Sequence, residues 1–559
     1  MSTENGSTPS GDSDGLHQPR ARRPFNSQTE RVLLDVIGPS GQHLGEHTPG
    51  GTPAPLDDAP PSVKATSAVR RELRRQTKRR MFPTVEYQHR LSHFNPRSEY
   101  TDFRGFYVLF WIGLGIMVIV SMLRSVRETG YPLQWTQWPL FVENIWELAA
   151  SDLVMVASTA VNMPLHRLYN ETWRWLLWEK GGMTVQSLVQ AVWLYAWIAW
   201  PFARNWTWTA QVFFTLHTLT LFMKMHSWAF YCGHLSTMYR RLRQLDLPVG
   251  PEISKMVAVH YPRTMQPENA ASDAASQDQG YVETQHPGDS RSSIVQLRED
   301  LAMELTSPEG NVSYPSNLSL TNFADYLLCP TLCYELEYPR AATRSYMELF
   351  YKVLAVFGCV FLLTVTSEEF ILPVLDESRE RLARVHASPQ GSRQDSALIF
   401  AETVSRMLFP FMVTFLLVFL VIFEYVLGAF AEITRFADRG FFGAWWNSLD
   451  WLEFSREWNK PVHHFFRRHV YSASRGMKLN RPAATAITFF VSALAHELVM
   501  GCITRKFRGY GFSLMMLQMP LVMVQKLPFI RRRSLLNNIM FWICMILGLS
   551  LLCALYVLV

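Results

Sequence analysis

The chain has 559 residues, 48% of them hydrophobic and 13% aromatic, with a formal net charge of +6, and a mean hydropathy of only +0.02. That average would suit a soluble protein, yet the apolar residues gather into runs of the roughly 18–20 residues that cross a bilayer, diluted by polar stretches at 1–98 and 243–313. A soluble globular fold is therefore excluded, and so is a nucleic-acid-binding role, because the basic residues cluster beside apolar runs instead of interleaving with aromatics on a folded domain.

Residues 1–98 are rich in Ser, Gly, Pro, Thr and charge, and they contain no early apolar run of the kind a signal peptide needs. A disordered cytosolic tail is expected there, its basic end Arg70–Arg80 serving as a positive-inside anchor. In 99–242 the apolar runs predict spans near 105–123, 139–162, 184–201 and 206–230. Glu143, Glu147 and Asp152 interrupt the second, and carboxylates at that depth should face protein or water. The polar insertion 243–313 reads as unstructured and cytosolic. Further spans are predicted in 314–559, near 350–373, 402–430, 483–503, 511–527 and 535–557, which makes about nine. With a cytosolic amino terminus, this parity puts Arg167, Arg174, Lys180, Arg240, Arg241, Arg467, Arg468, Arg475 and the triplet Arg531, Arg532 and Arg533 on the cytosolic side. Arg505, Lys506 and Arg508 break the pattern and mark the seventh and eighth spans as a candidate broken or re-entrant element.

Seven cysteines lie mostly in or beside apolar runs, so no disulfide framework is expected. Cys329 and Cys333 read as packed thiols, since no further metal ligands stand near them. The sequons at Asn5, Asn170, Asn205, Asn311 and Asn317 fall in the cytosol or tight against the membrane, and none is expected to carry glycan.

The stretch 436–497 concentrates the chemistry. It reads Phe441-Phe442-Gly443-Ala444-Trp445-Trp446-Asn447, then Trp458-Asn459-Lys460-Pro461-Val462-His463, then an apolar run enclosing Ser492 and His496. A histidine inside such a run is functional by default, because hydrocarbon penalises it unless it faces protein or water. Ser492, four residues earlier, shares its helical face. A cross-link between helices is the competing explanation. Asn459 followed by Lys460 and Pro461 is also a helix start, with Asn capping and Pro tolerated in the first turn. Trp445 and Trp446 equally suit an interfacial anchor. His463, His464 and His469 do not make a metal set, since adjacent histidines diverge on a helix and no carboxylate or cysteine completes them.

Together these motifs resemble the membrane-bound O-acyltransferases, most closely the fungal sterol O-acyltransferases. The ending Lys224-Met225-His226-Ser227-Trp228 and the segment 330–340 share in the likeness. The resemblance implies an all-α integral membrane fold, with His496 and Asn459 as catalytic residues. It further implies Trp445, Trp446, Asn447, Trp458, His463, Arg467 and Ser492 as substrate-binding residues. The expected reaction is transfer of a fatty acyl group from acyl-CoA, a co-substrate, to a sterol hydroxyl, without cofactor or metal, in a homo-oligomer of the endoplasmic reticulum membrane. Arg467 and Arg468 are expected to meet the phosphates of acyl-CoA. Diacylglycerol as acceptor is the nearest alternative; a transporter using His496 and Glu497 as a proton relay is a remote one. The chain departs from the family pattern Phe-Tyr-x-Asp-Trp-Trp-Asn at Phe442 and Ala444, which lack the hydroxyl and the carboxylate; Asp438 and Asp450 are the neighbouring acids that could substitute.

Overall fold

The computed structural model describes residues 82–95, 104–132, 137–171, 175–245, 298, 300–308, 310–388, 392–531 and 533–559. In chain order its principal helices are α1 (Arg104–Thr129), α2 (Trp138–Tyr169), α3 (Met183–Ala203), α4 (Trp208–Leu245), α5 (Leu320–Leu328), α6 (Tyr346–Ala387), α7 (Arg393–Thr434), α8 (Trp451–Glu457), α9 (Lys460–Phe465), α10 (Arg481–Thr504), α11 (Tyr510–Gln525) and α12 (Ser534–Leu558). Among the described residues, six helices (α1, α2, α6, α7, α10 and α12) are long and apolar enough to cross a membrane. Large side chains such as Phe106, Leu109, Ile116 and Leu123 of α1 stand exposed, as lipid solvent allows.

The runs assigned to the third, fourth and eighth spans are also helical, as α3, α4 and α11, but fall short of that standard. In α3 and α4 the reason is polarity: Gln186, Gln190, Gln211 and Lys224 are buried against neighbouring helices. In α11 it is length, since 16 residues rise only about 24 Å against a hydrocarbon core of about 30 Å. α11 survives by pairing with α10. Glu497 accepts the N–H groups of Gly509 (2.7 Å) and Phe512 (3.0 Å) at the start of α11 and the Tyr556 hydroxyl (2.9 Å) of α12, a carboxylate on a helix amino terminus. Arg505, in the tight turn between them, donates to the Trp206 carbonyl at 2.9 Å. The cations that broke the charge pattern therefore belong to a helical hairpin.

The carboxylates of α2 find protein partners: Glu147 pairs with Arg204 and Asp152 with His217. α6 runs on past the predicted span to Ala387 and α7 begins already at Arg393, and the two are laced by Arg406 to Glu377 (2.7 Å) and Arg381 to Glu402 (2.9 Å).

The segment after α5 is the core's polar knot. Lys224 of α4 donates to the carbonyls of Tyr326 (3.0 Å), Cys329 (2.7 Å) and Thr331 (2.7 Å), closing the end of α5. Arg468 meets Glu335 at 3.0 Å and lies over the Phe82 and Tyr231 rings. Of the tail expected to lack structure, residues 1–81 lie outside the described residues, as does most of the 243–313 insertion. Residues 82–95 are docked. Val85 N–H donates to Glu335 (2.9 Å), Gln88 N–H to Asp438 (2.9 Å), and Tyr87 and Ser92 bond Thr331 and Glu424.

Arg468 and Glu335 are both buried, so Glu335→Ala strands a charge. The expected loss is about 3–5 kcal/mol, read as a lower melting temperature of the purified protein in detergent; an unchanged midpoint would show the pair to be incidental.

Candidate active site

The loop 436–447 enters the core as an extended strip bridged to Arg90 on one side and Arg340 on the other. Asp438 receives the N–H groups of Gln88 and Gly440. Phe441, Phe442 and Trp445 are buried, Trp445 to 1% exposure. Its indole packs on Phe419 (5.0 Å), Phe415 (5.5 Å) and Trp458 (4.9 Å), while Trp458 stacks flat on Phe415 at 4.7 Å. Trp445 is thus a core residue and not an anchor at the bilayer surface. Trp446 is half-buried and Asn447 exposed. The Trp446 carbonyl accepts from Asn538 (3.0 Å) and Trp542 (3.2 Å), one helical turn apart on α12. The last helix therefore holds this turn, a dependence that the polar Asn538 at the head of an apolar run hints at.

Asn459 does cap α9: its Oδ1 accepts the Val462 N–H at 3.1 Å. His463, one turn on, sits above it, its N–H reaching the Asn459 carbonyl at 2.9 Å. The rings of His463 and His464 diverge, with centroids 6.1 Å apart and planes 59° apart. Burial, then the charges of His464, Arg467 and Arg456, lower the pKa of His463 to about 3. Burial, then Arg467, Lys460 and Arg90, lower that of His464 to about 4. Both are neutral at pH 7.

Beyond α9 the helix widens over Phe466–Tyr471. Arg467 is exposed there, but Arg468 is buried on Glu335 and the Tyr334 carbonyl, so it is not placed to meet phosphate as expected. His469 Nε2 lies 3.0 Å from the Ser227 hydroxyl, which also accepts the Tyr334 N–H, and its ring stands 5.1 Å from that of His226. His226 Nδ1 donates to Gln190 at 3.1 Å. This Gln190, His226, Ser227 and His469 group joins α3, α4 and the widened turn. Spacing alone could not have assembled it.

His496 lies on α10, which packs against that widened turn, α4 and α11. Its Nδ1 is 2.8 Å from the Ser492 carbonyl. A carbonyl only accepts, so Nδ1 carries the hydrogen and Nε2 the lone pair. Ser492 thus contributes its backbone oxygen to this bond. The His496 side chain is exposed. Among the described residues, no three His, Cys, Asp or Glu side chains converge as a metal set.

The family model of the membrane-bound O-acyltransferase family matches residues 192–558, which include the loop 436–447, α9, the widened turn and α10. The chain belongs to that family. This acyltransferase-family chain is 37% identical over 464 residues to "Probable sterol O-acyltransferase 2" of Schizosaccharomyces pombe, covering 83% of this chain and 89% of that one. It is 32% identical to "Sterol O-acyltransferase 2" of Candida albicans, with 82% and 75% covered. A "Diacylglycerol O-acyltransferase 1" of Dictyostelium discoideum is 32% identical over only 46% of this chain and 40% of its own length.

Because His463 and His464 titrate near their ordinary pKa of about 6.5 only when unfolded, the unfolded chain binds more protons in acid. Their contribution to stability is complete above that pH and is lost as pH falls toward 4. The melting temperature in detergent should drop between pH 7 and pH 5, and His464→Gln should flatten that slope.

Proposed function

We propose that this acyltransferase-family chain moves a fatty acyl group from acyl-CoA to the hydroxyl of a sterol, giving a steryl ester and free CoA. One observation carries the chemistry: the Nδ1 bond to the Ser492 carbonyl leaves the lone pair of the exposed His496 ring on Nε2. Nε2 takes the hydroxyl proton as the sterol oxygen attacks the thioester carbonyl. The carbon–sulfur bond then breaks and the proton passes to the departing thiolate, so no acyl-enzyme is needed. Asn459 has one lone pair of Oδ1 committed to the cap, and its Nδ2 is the donor it can offer to the developing oxyanion. The exposed Arg467 suits the phosphates of acyl-CoA. Sterol is preferred over diacylglycerol because the sterol-named relatives align over most of the chain. The proton-relay reading loses its second member, since Glu497 is held by Gly509, Phe512 and Tyr556.

We further place the enzyme in the endoplasmic reticulum membrane as a homo-oligomer, with about nine crossings, α3, α4 and α11 included, and loop 431–482 in the cytosol with the tail. In sealed microsomes Met477→Cys, on an exposed turn, should react with a membrane-impermeant thiol reagent, while Lys506→Cys should react only after permeabilisation. Protection of residue 477 would remove cytosolic entry of acyl-CoA.

Microsomes given labelled acyl-CoA should esterify ergosterol or cholesterol faster than diacylglycerol. His496→Ala should lower the rate about a hundred- to ten-thousand-fold. Asn459→Asp keeps a cap oxygen but removes the donor, so it should keep the parent's melting temperature while losing about a hundred- to a thousand-fold in rate. Near-parent activity in a well-folded His496→Ala protein, or triacylglycerol as the main product, would refute the assignment.

A further inference from the structure

The loop bearing Trp445 and Trp446 has alanine at 444, where the resemblance leads one to expect a carboxylate. The two acids nearest in sequence are engaged elsewhere. Asp438 accepts the N–H groups of Gln88 (2.9 Å) and Gly440 (3.1 Å), and Asp450 caps α8 through the Glu453 N–H at 2.7 Å. A third carboxylate reaches the loop from the facing turn. Gly443 N–H donates to the Glu457 carbonyl (2.7 Å) and Lys460 N–H to the Phe441 carbonyl (2.9 Å), so residues 457–460 are laced to the loop along their backbones.

The Glu457 side chain then folds onto the loop itself. A Cβ built on Gly443 would stand 1.8 Å from Glu457 Oε2 and 3.3 Å from Lys460 Nζ. Only glycine lets the carboxylate lie so close to that backbone. Oε2 faces Lys460 Nζ at 3.4 Å, and Lys460 follows directly on Asn459. The same two charges act on His93, whose ring packs 5.3 Å from Phe442, the other altered position of the motif.

We propose that Glu457 is a positioning residue that supplies, from across the turn, the loop carboxylate that position 444 lacks, fixing the Trp445–Asn447 turn against Lys460 and Asn459. The inference rests on the acyl-transfer reading above. A carboxylate at 444 would hang from the loop alone, whereas one at 457 joins the loop to the segment carrying Asn459. What the loop needs is one negative charge at this place, so supplying it from position 444 instead of 457 should be survivable.

The test is a set of full-length variants assayed in microsomes and purified in detergent. Glu457 is partly exposed, so Glu457→Gln should accumulate normally and lower sterol esterification about five- to tenfold. Gly443→Ala, whose methyl group displaces the carboxylate, should cost about as much, and the double variant no more than either single one. Ala444→Asp should lower activity in the parent, where two carboxylates crowd each other, yet raise it in the Glu457→Gln background. Activity of Glu457→Gln within about twofold of the parent, multiplied losses in the double variant, or no rescue by Ala444→Asp would each overturn the proposal. The Gly443 and Glu457 cycle is also read as melting shifts, which need no acyl transfer. If the parent makes no steryl ester the functional reading falls, while non-additive melting shifts still uphold the contact and additive ones dismiss it.

Discussion

Arg468 is the residue on which the packing around the widened turn depends. Its guanidinium bonds the Tyr334 carbonyl and Glu335 and covers the rings of Phe82 and Tyr231, so one side chain ties the widened turn to α4, to the segment after α5 and to the docked strip 82–95. A buried ion pair repays its desolvation only when both charges are fully engaged. Glu335 goes toward that condition by also accepting the Val85 N–H, whereas Arg468 bonds through Nη1 and leaves Nε and Nη2 over the aromatic rings without an acceptor among the described residues. Neighbours along the same turn are thereby aimed apart, with Arg467 outward and His469 onto Ser227.

The candidate site inherits its geometry from this knot. Lys224 closes the end of α5, and three residues on Ser227 takes up the Tyr334 N–H and meets His469. α4 thus sets the height of the widened turn, against which α10, the helix carrying His496, packs. On the other side, α12 holds the Trp446 carbonyl, and Trp458, which directly precedes Asn459, stacks with Phe415 and Trp445. Capping leaves room in Asn459 for the proposed chemistry, because the cap takes a lone pair of the side-chain oxygen and leaves the amide nitrogen as donor.

The altered motif shows how a loop can keep its anchor when its own side chains change. Phe442 is buried against His93 and Phe94 of the docked strip, so a ring without a hydroxyl is what that site accommodates. The alanine at 444 sits beside a glycine whose bare backbone admits a carboxylate from another segment.

Much of this was legible in the chain itself. Runs of apolar residues located the six helices long and apolar enough to cross a membrane, because hydrocarbon rejects any long segment that is not almost wholly apolar. Asn459 before Lys460 and Pro461 announced a cap, since the unpaired N–H groups of a helix start have few possible acceptors. His496 stood out as the costly residue in an apolar run. What the sequence could not decide was which polar groups meet across helices. Glu147 with Arg204, Lys224 with three carbonyls, Arg468 with Glu335 and Glu457 over Gly443 all depend on how helices are turned about their axes. The same holds for Trp445, whose anchor-like composition gave way to burial, and for Arg468, whose charge faced inward. Side-chain period fixes a face, but only packing fixes what that face meets.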